Sequence, residues 1–231
     1  MRVVFVHGAC VKDGSWWWHR TAELLAESGM HSVAPALPSC GETGQLAGTD
    51  GPGLPEDVAA VRQVLLDSAE PTIVVAHSYG GIVAAEAASG ISSVQHLVLI
   101  SSYLPEIGQS LAGFGDAAPA PFLDFDMEAG TFGVREELLQ STFLQDCDVE
   151  VQTQAMQHLA RQSVQVTGQP VGAAAWQQLP SSYIVCTQDR GTPVSLQREY
   201  AQRAENVIEL ETGHHPFLSQ PARVRDILLS L

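Results

Sequence analysis

Ile73-Val74-Val75-Ala76-His77-Ser78-Tyr79-Gly80-Gly81 decides how the chain is read. Four apolar residues, three of them β-branched, predict a buried strand. Gly80 and Gly81 open an Ala-rich run, 82–88, that predicts a helix, and Ser78 falls on the turn between them. A sharp strand-to-helix turn of this kind lifts a serine hydroxyl above the sheet. It brings two backbones together, so only small residues fit two positions either side of the serine. Ala76 and Gly80 stand there. The first position departs from strict G-x-S-x-G, but Ala keeps the volume small. The helix start behind Ser78 aims N–H groups at the place where negative charge would develop.

Outward from this stretch, strands and helices alternate. Residues 3–6 predict a strand that ends at His7-Gly8-Ala9-Cys10, and a helix is expected over 16–28, stopped by Gly29. Trp16, Trp17 and Trp18 cannot all face one side of it, so at least one is expected near a pocket mouth or under a lid. Residues 31–37 predict a second strand and 41–55 a loop. Pro55-Glu56-Asp57 then starts a helix with acids near its positive end, its buried face being Val58, Val61, Leu65 and Leu66. Strands over 94–100, 183–186 and 207–210 and helices over 194–204 and 221–231 continue the rhythm. It predicts an α/β fold with a mostly parallel sheet covered by helices on both faces. The rhythm breaks over 104–179, which shows no strong strand pattern. That segment holds a Gly/Ala/Pro stretch (113–121), the aromatics Phe114, Phe122, Phe125 and Phe132, and helical runs near 135–145 and 149–162. The expected organisation is a core of 1–103 and 180–231 with 104–179 inserted as a helical lid. The lid aromatics either line a substrate pocket or pack the lid.

With 231 residues, 45% of them hydrophobic, the chain can bury one substantial core. A net charge of −15 with 11 basic residues leaves no basic face for nucleic acid, and would mildly repel anionic substrates. Cys10, Cys40, Cys147 and Cys186 show no metal-ligand spacing. Cys186 is expected as a buried thiol and Cys10 as a structural one. No metal and no cofactor is called for. The apolar run before His7 is too short for a signal peptide, and no stretch approaches a membrane span. A cytoplasmic protein with reduced thiols is expected, with a small-molecule substrate and no membrane partner. Monomer and homodimer both stay open.

A serine hydroxyl is a weak nucleophile and needs a neighbouring base. Histidine suits the task, and an acid must hold its tautomer and stabilise the imidazolium. Such groups collect at the C-terminal ends of parallel strands. Ser78, Asp189 and His214 stand at three strand ends in the order nucleophile, acid, base. His214 directly follows the strand-ending Gly213; His215 competes for the role of base, and otherwise orients substrate or packs under Pro216-Phe217. Glu106, Asp124 and Asp126 are the fallback acids. His77 is expected to point away from Ser78, and His7 to shape the first loop. The N–H groups of Ala9 and Tyr79 are the candidate oxyanion donors. Gly8, Trp17 and His215 are candidate substrate contacts, and the Tyr79 side chain is expected to crowd the pocket.

His7-Gly8-Ala9-Cys10, Gly14-Ser15-Trp16-Trp17-Trp18, Ala76-His77-Ser78-Tyr79-Gly80-Gly81, Thr187-Gln188-Asp189 and Gly213-His214 resemble the α/β-hydrolases of the plant methylesterase and hydroxynitrile-lyase group, with its bacterial esterase relatives. The resemblance spans nearly the whole chain and is weakest over 104–179. It implies the α/β-hydrolase fold without its first strands, a helical lid, and a Ser78–Asp189–His214 triad working without a cofactor. Two departures stand out. Val11-Lys12-Asp13 lengthens the loop before Gly14. Lyases of the group carry a Thr at the place of Gly8 and a Lys directly after the base, where this chain has His215. Without that hydroxyl and cation, the expected reaction is hydrolysis of a small-to-medium, largely apolar carboxylic ester or lactone through an acyl-enzyme. The alternatives are a C–C lyase or cyclase acting on a secondary metabolite at the same site, and a ligand receptor with a slow triad.

Overall fold

The computed structural model describes residues 1–114 and 119–231. Its elements run β1 (Arg2–Val6), α1 (Gly14–Glu27), β2 (His31–Val33), α2 (Leu54–Leu66), β3 (Thr72–His77), α3 (Gly80–Ala87) and β4 (Val94–Ile100). Then come β5 (Leu123–Asp126), β6 (Thr131–Val134), α4 (Glu136–Phe143), α5 (Val149–Ala155) and β7 (Gln162–Ser163). The chain closes with β8 (Ser181–Cys186), α6 (Val194–Ala201), β9 (Asn206–Leu210), α7 (Pro216–Ser219) and α8 (Pro221–Leu229).

Six strands form one sheet in the order β2-β1-β3-β4-β8-β9, and every neighbouring pair is parallel. Side chains alternate across it. Val4, Val6, Val74, Ala76, Leu97 and Leu99 cluster with residues of α2, α3 and α6. Val3, Phe5, Ile73, Val75, Val98 and Ile100 cluster with α1, α7 and α8. The strand order reverses between β1 and β3: the chain leaves β1 for one edge and β3 for the other. A crevice opens at the C-terminal ends of two such strands. The ends here are His7-Gly8-Ala9 and His77-Ser78.

Three expectations need correcting. β2 stops at Val33 rather than running to residue 37; Pro35 has no N–H to give a ladder. Leu66 is 60% exposed rather than on the buried face of α2. The 104–179 segment is not purely helical, since β5, β6 and β7 form a separate antiparallel sheet. Those strands are short and half-polar. Asp124 on β5 is paired with Arg161 at 2.8 Å, so no apolar run announces them. Of the 113–121 stretch, residues 115–118 lie outside the described residues. Among the described residues no helix is long and apolar enough to cross a membrane.

The three tryptophans divide as the helical geometry requires. Trp18 is buried and stacked between Phe5 and Phe217, with ring centroids 4.3 and 3.9 Å away. Trp17 is buried and lines a cavity. Trp16 is half-buried and stacks on His158 at 4.2 Å. Trp18→Ala is therefore expected to cost about 3–5 kcal/mol of unfolding free energy in urea, and Trp16→Ala only about 1 kcal/mol. Equal losses would contradict this division of roles.

Candidate active site

Ser78 has φ 50°, a left-handed conformation that costs a non-glycine residue on the order of 1–3 kcal/mol. Its surroundings impose it. The Ser78 N–H donates to Ile100 O at 3.2 Å, and Ser78 O accepts from Gly81 N–H at 3.1 Å and from the Ser102 hydroxyl at 2.6 Å. A Cβ on Gly80 would strike the Val6 carbonyl and sit 2.7 Å from the His7 carbonyl, and one on Gly81 would strike Ser102 and Tyr103. The turn closes only with glycine at both positions. Ser78 remains half-buried on the cavity wall.

His214 and Asp189 leave the ends of neighbouring strands and meet directly, His214 Nδ1 to Asp189 Oδ2 at 2.7 Å. Ser101 Oγ and Gln197 Nε2 donate to the same oxygen at 2.5 and 2.9 Å. Oδ1 accepts the Gly191 and Thr192 N–H groups at 2.7 and 3.1 Å. Burial pushes the Asp189 carboxyl up, but the His214 charge and these bonds outweigh it and hold the group below the ordinary carboxylate range. His214 shares the cavity with Ser78.

Among the described residues the Ala9 and Tyr79 amides have no protein acceptor, whereas the next amide, that of Cys10, is taken by Gln162. Gly8 lies hard against the site: a Cβ there would be 3.0 Å from His77 Nδ1 and 3.2 Å from Ser78 Cβ. His7 bonds its own loop, Nδ1–H to Gly8 O at 2.9 Å.

His77, His214 and His215 bring ligand nitrogens within 4.8 Å of one another. Each already commits one nitrogen to the protein: His77 Nε2–H to His214 O at 3.0 Å, His214 Nδ1 to Asp189, and His215 Nδ1–H to Phe143 O at 3.0 Å. Burial, then the neighbouring imidazoles, hold His77 well below the ordinary histidine range. Burial, then His214, push His215 down to about 3. Both are neutral in the fold at neutral pH.

The cavity has a volume of about 1240 Å³ and takes in Gly8, Ala9, Trp17, Ser78, Tyr79, His214 and His215. Phe114, Phe122, Phe125 and Phe132 all line it, and they also pack, Phe122 on Phe143 and Phe125 on Phe132. The fallback acids lie elsewhere in the bonding: Asp124 with Arg161, Glu106 with Gln177, Asp126 with the Ala129 N–H. The Tyr79 side chain corrects its expectation. Instead of crowding the pocket, its hydroxyl turns to the buried Asp57 at 2.7 Å. Asp57 stands in the first turn of α2 as expected, and is itself buried. All four cysteines are buried and unpaired, and burial raises the Cys10 thiol far above its ordinary value.

Ser101, Gln197 and Gln162 are the residues the sequence reading missed. Ser101 has φ 42° and stands at the end of β4, so the strand-end rule that found Asp189 could have found it. Gln197 and Gln162 carry no local signal.

The fold and this cluster define a family. The family model described as "Alpha/beta hydrolase family" matches residues 3–227, and the chain belongs to that family. Its relatives include esterases. Methylesterase 9 of Arabidopsis thaliana is 26% identical over 253 aligned positions, covering 99% of this chain and 96% of the relative. An alpha/beta hydrolase of Aspergillus novofumigatus, nvfD, is 26% identical over 206 positions, covering 82% and 80%. The crystal structure of a pyrethroid hydrolase from Sphingobium faniae JZ-2 superposes with a TM-score of 0.86 at 21% identity, covering 100% and 96%, a likeness of fold.

The neutral histidines make stability depend on pH. In the unfolded chain each takes a proton below about pH 6.5, whereas folded His215 stays neutral down to about 3. Its contribution is therefore complete above about pH 6.5 and is lost as the pH falls, at up to about 1.4 kcal/mol per pH unit. Asp57, whose carboxyl burial raises, works in the opposite sense. The measurement is thus a difference: urea unfolding of wild type and His215→Asn between pH 4.5 and 7. The variant is expected to show a shallower loss by up to one proton.

Proposed function

We propose that the protein is a serine hydrolase of carboxylic esters or lactones, with Ser78 as nucleophile, His214 as base and Asp189 as the acid that orients it. The observation that carries this reading is the fully bonded Asp189 carboxylate holding His214 Nδ1 at 2.7 Å, with His214 and the strained Ser78 both lining one cavity. In the proposed reaction Ser78 Oγ attacks the ester carbonyl while His214 Nε2 takes its proton. The oxyanion is held by the Ala9 and Tyr79 N–H groups. His214 returns the proton to the departing alkoxide, an acyl-enzyme remains, and a water deprotonated by His214 releases the acid. The esterase names among the relatives support ester substrates. The cavity, about 1240 Å³, exceeds the usual ligand pocket of about 300–1,000 Å³, which favours the upper end of the size range. Its phenylalanine wall favours apolar substrates.

Cyanohydrin chemistry of the hydroxynitrile-lyase kind is disfavoured on two observations. His215 is neutral and bonded to Phe143 O, so it supplies no cation. Gly8 supplies no hydroxyl, and a Cβ added there would already be in tight contact with His77 and Ser78, at 3.0 and 3.2 Å.

Ser78→Ala is expected to lower kcat for an aryl ester by at least about 10⁴-fold and to abolish labelling by a fluorophosphonate; Asp189→Asn should cost about 10⁴-fold. Hydrolysis in ¹⁸O-water places label in the product acid. Wild-type turnover in Ser78→Ala sinks the reading. The substrate range follows from a panel of esters and lactones of graded size.

A further inference from the structure

One set of buried polar groups that the proposed chemistry leaves unused forms a chain of hydrogen bonds. The Tyr79 hydroxyl donates to Asp57 Oδ2 at 2.7 Å. Ser39 donates its N–H to Asp57 Oδ1 at 2.8 Å and its hydroxyl to Oδ2 at 2.6 Å. Gln162 Nε2 donates to Ser39 Oγ at 2.8 Å, and Gln162 Oε1 accepts the Cys10 N–H at 3.0 Å. Asp57, Ser39 and Gln162 are 0% exposed, Tyr79 and Cys10 1%. Every direction is forced. A main-chain N–H only donates, so Gln162 must turn its oxygen to Cys10 and its nitrogen to Ser39, whose hydroxyl proton is then left for Asp57.

Such a chain is a costly way to fill a core. A buried carboxylate is often no better for stability than an apolar residue of the same shape, and a half-bonded network is worse. What sets this one apart is where it ends. One end is the side chain of Tyr79, whose N–H is a proposed oxyanion donor. The other is the amide of Cys10, next to Ala9, which carries the second donor. The link into the first loop comes from β7, and the same stretch pairs with the loop beside it: Lys12 N–H to His158 O and Ala160 N–H to Cys10 O, both 2.9 Å, with a Val11–Leu159 bridge. The loop Val11-Lys12-Asp13 thus begins with an isolated antiparallel bridge to the 104–179 segment.

We propose that Asp57 and Gln162 are positioning residues for the oxyanion hole. The chain Tyr79–Asp57–Ser39–Gln162–Cys10 sets the spacing of the Tyr79 and Ala9 amides, and Gln162 makes that spacing depend on how the 104–179 segment is seated. This rests on the reading that these two amides hold the oxyanion. Donors must lie within about 2.7–3.1 Å of the developing charge, and a displacement of about 1 Å can cost on the order of 100-fold in rate.

Tyr79→Phe and Gln162→Leu test it. Each is compared with wild type for aryl ester turnover and for binding of an aryl trifluoromethyl ketone. That ketone takes the Ser78 oxygen onto its carbonyl carbon, passes the Ser78 proton to His214, and leaves a negative oxygen in the oxyanion position. Both variants are expected to lose kcat on the order of tenfold to 100-fold with KM within about twofold, and to lose ketone affinity by the same factor. A thermal unfolding scan establishes that each variant is folded. If Gln162→Leu does not fold, Tyr79→Phe, which removes one oxygen atom, carries the test alone. Wild-type kcat and ketone affinity in folded Tyr79→Phe overturn the proposal, as does a loss confined to KM with ketone affinity unchanged. A wild-type chain that neither hydrolyses esters nor reacts at Ser78 removes the hydrolase reading and this inference with it. Wild-type hydrolysis with unaffected variants removes the inference alone.

Discussion

At Gly80 the backbone that follows β3 lies so close to the carbonyls of Val6 and His7 that no Cβ fits between them. That contact joins the end of β1 to the start of α3, and the geometry of the site follows from it. The chain must reverse within two residues, so Ser78 takes a left-handed φ of 50° and its side chain stands on the cavity wall. The same contact brings the first loop alongside the elbow, placing Gly8 within 3.2 Å of a Ser78 contact for any added Cβ. Two strands whose connections leave in opposite directions leave a crevice at this point. The sheet therefore determines where a ligand enters before any pocket side chain is chosen.

A rigid turn does not position the loops that face it. The first loop and the loop carrying His214 both leave strand ends, and loops held only by their own backbone open locally at little cost. Here each is fastened to the 104–179 segment. Residues 10 and 12 bond with residues 158–162. The Gly213 N–H donates to Asp146 at 2.7 Å, and His215 is bonded to Phe143 O. Each such bond contributes about 1 kcal/mol net, enough for several together to keep a loop in place. The segment that lines the cavity with phenylalanines thus also braces both halves of the site.

This division explains what could be read from sequence. Ser78, Asp189 and His214 were legible because each follows an apolar strand run, and strand ends are local features. β5 to β7 were not, because Leu-Asp-Phe-Asp and its partners bury one face weakly and carry a charge on the other. Asp57 does stand in the first turn of α2, as its local pattern predicts, but that pattern does not show what its carboxylate bonds. Its actual partners, Ser39 and Tyr79, lie 18 and 22 residues away. Gln162 reaches Cys10 across 152 residues, a separation at which no spacing rule operates. Nor does a Tyr after the serine say on which side of the turn its ring will lie.

The three packed histidines differ in their bonding partners. By composition His77, His214 and His215 are the same group, with ring centroids 4.4, 4.8 and 4.9 Å apart in one buried cluster. Burial acts against the charged form of His77 and His215. What separates them is the second partner. His77 and His215 donate to main-chain carbonyls, dipoles too weak to repay desolvation, and both are held neutral. His214 alone faces a carboxylate, one kept ionised by bonds from Ser101, Gln197 and two backbone amides as well as from His214 itself. Adjacency in sequence does not separate His214 from His215; in the fold His214 is the ring that meets a carboxylate, 25 residues away. The two neutral rings beside it add no charge of their own to the cluster.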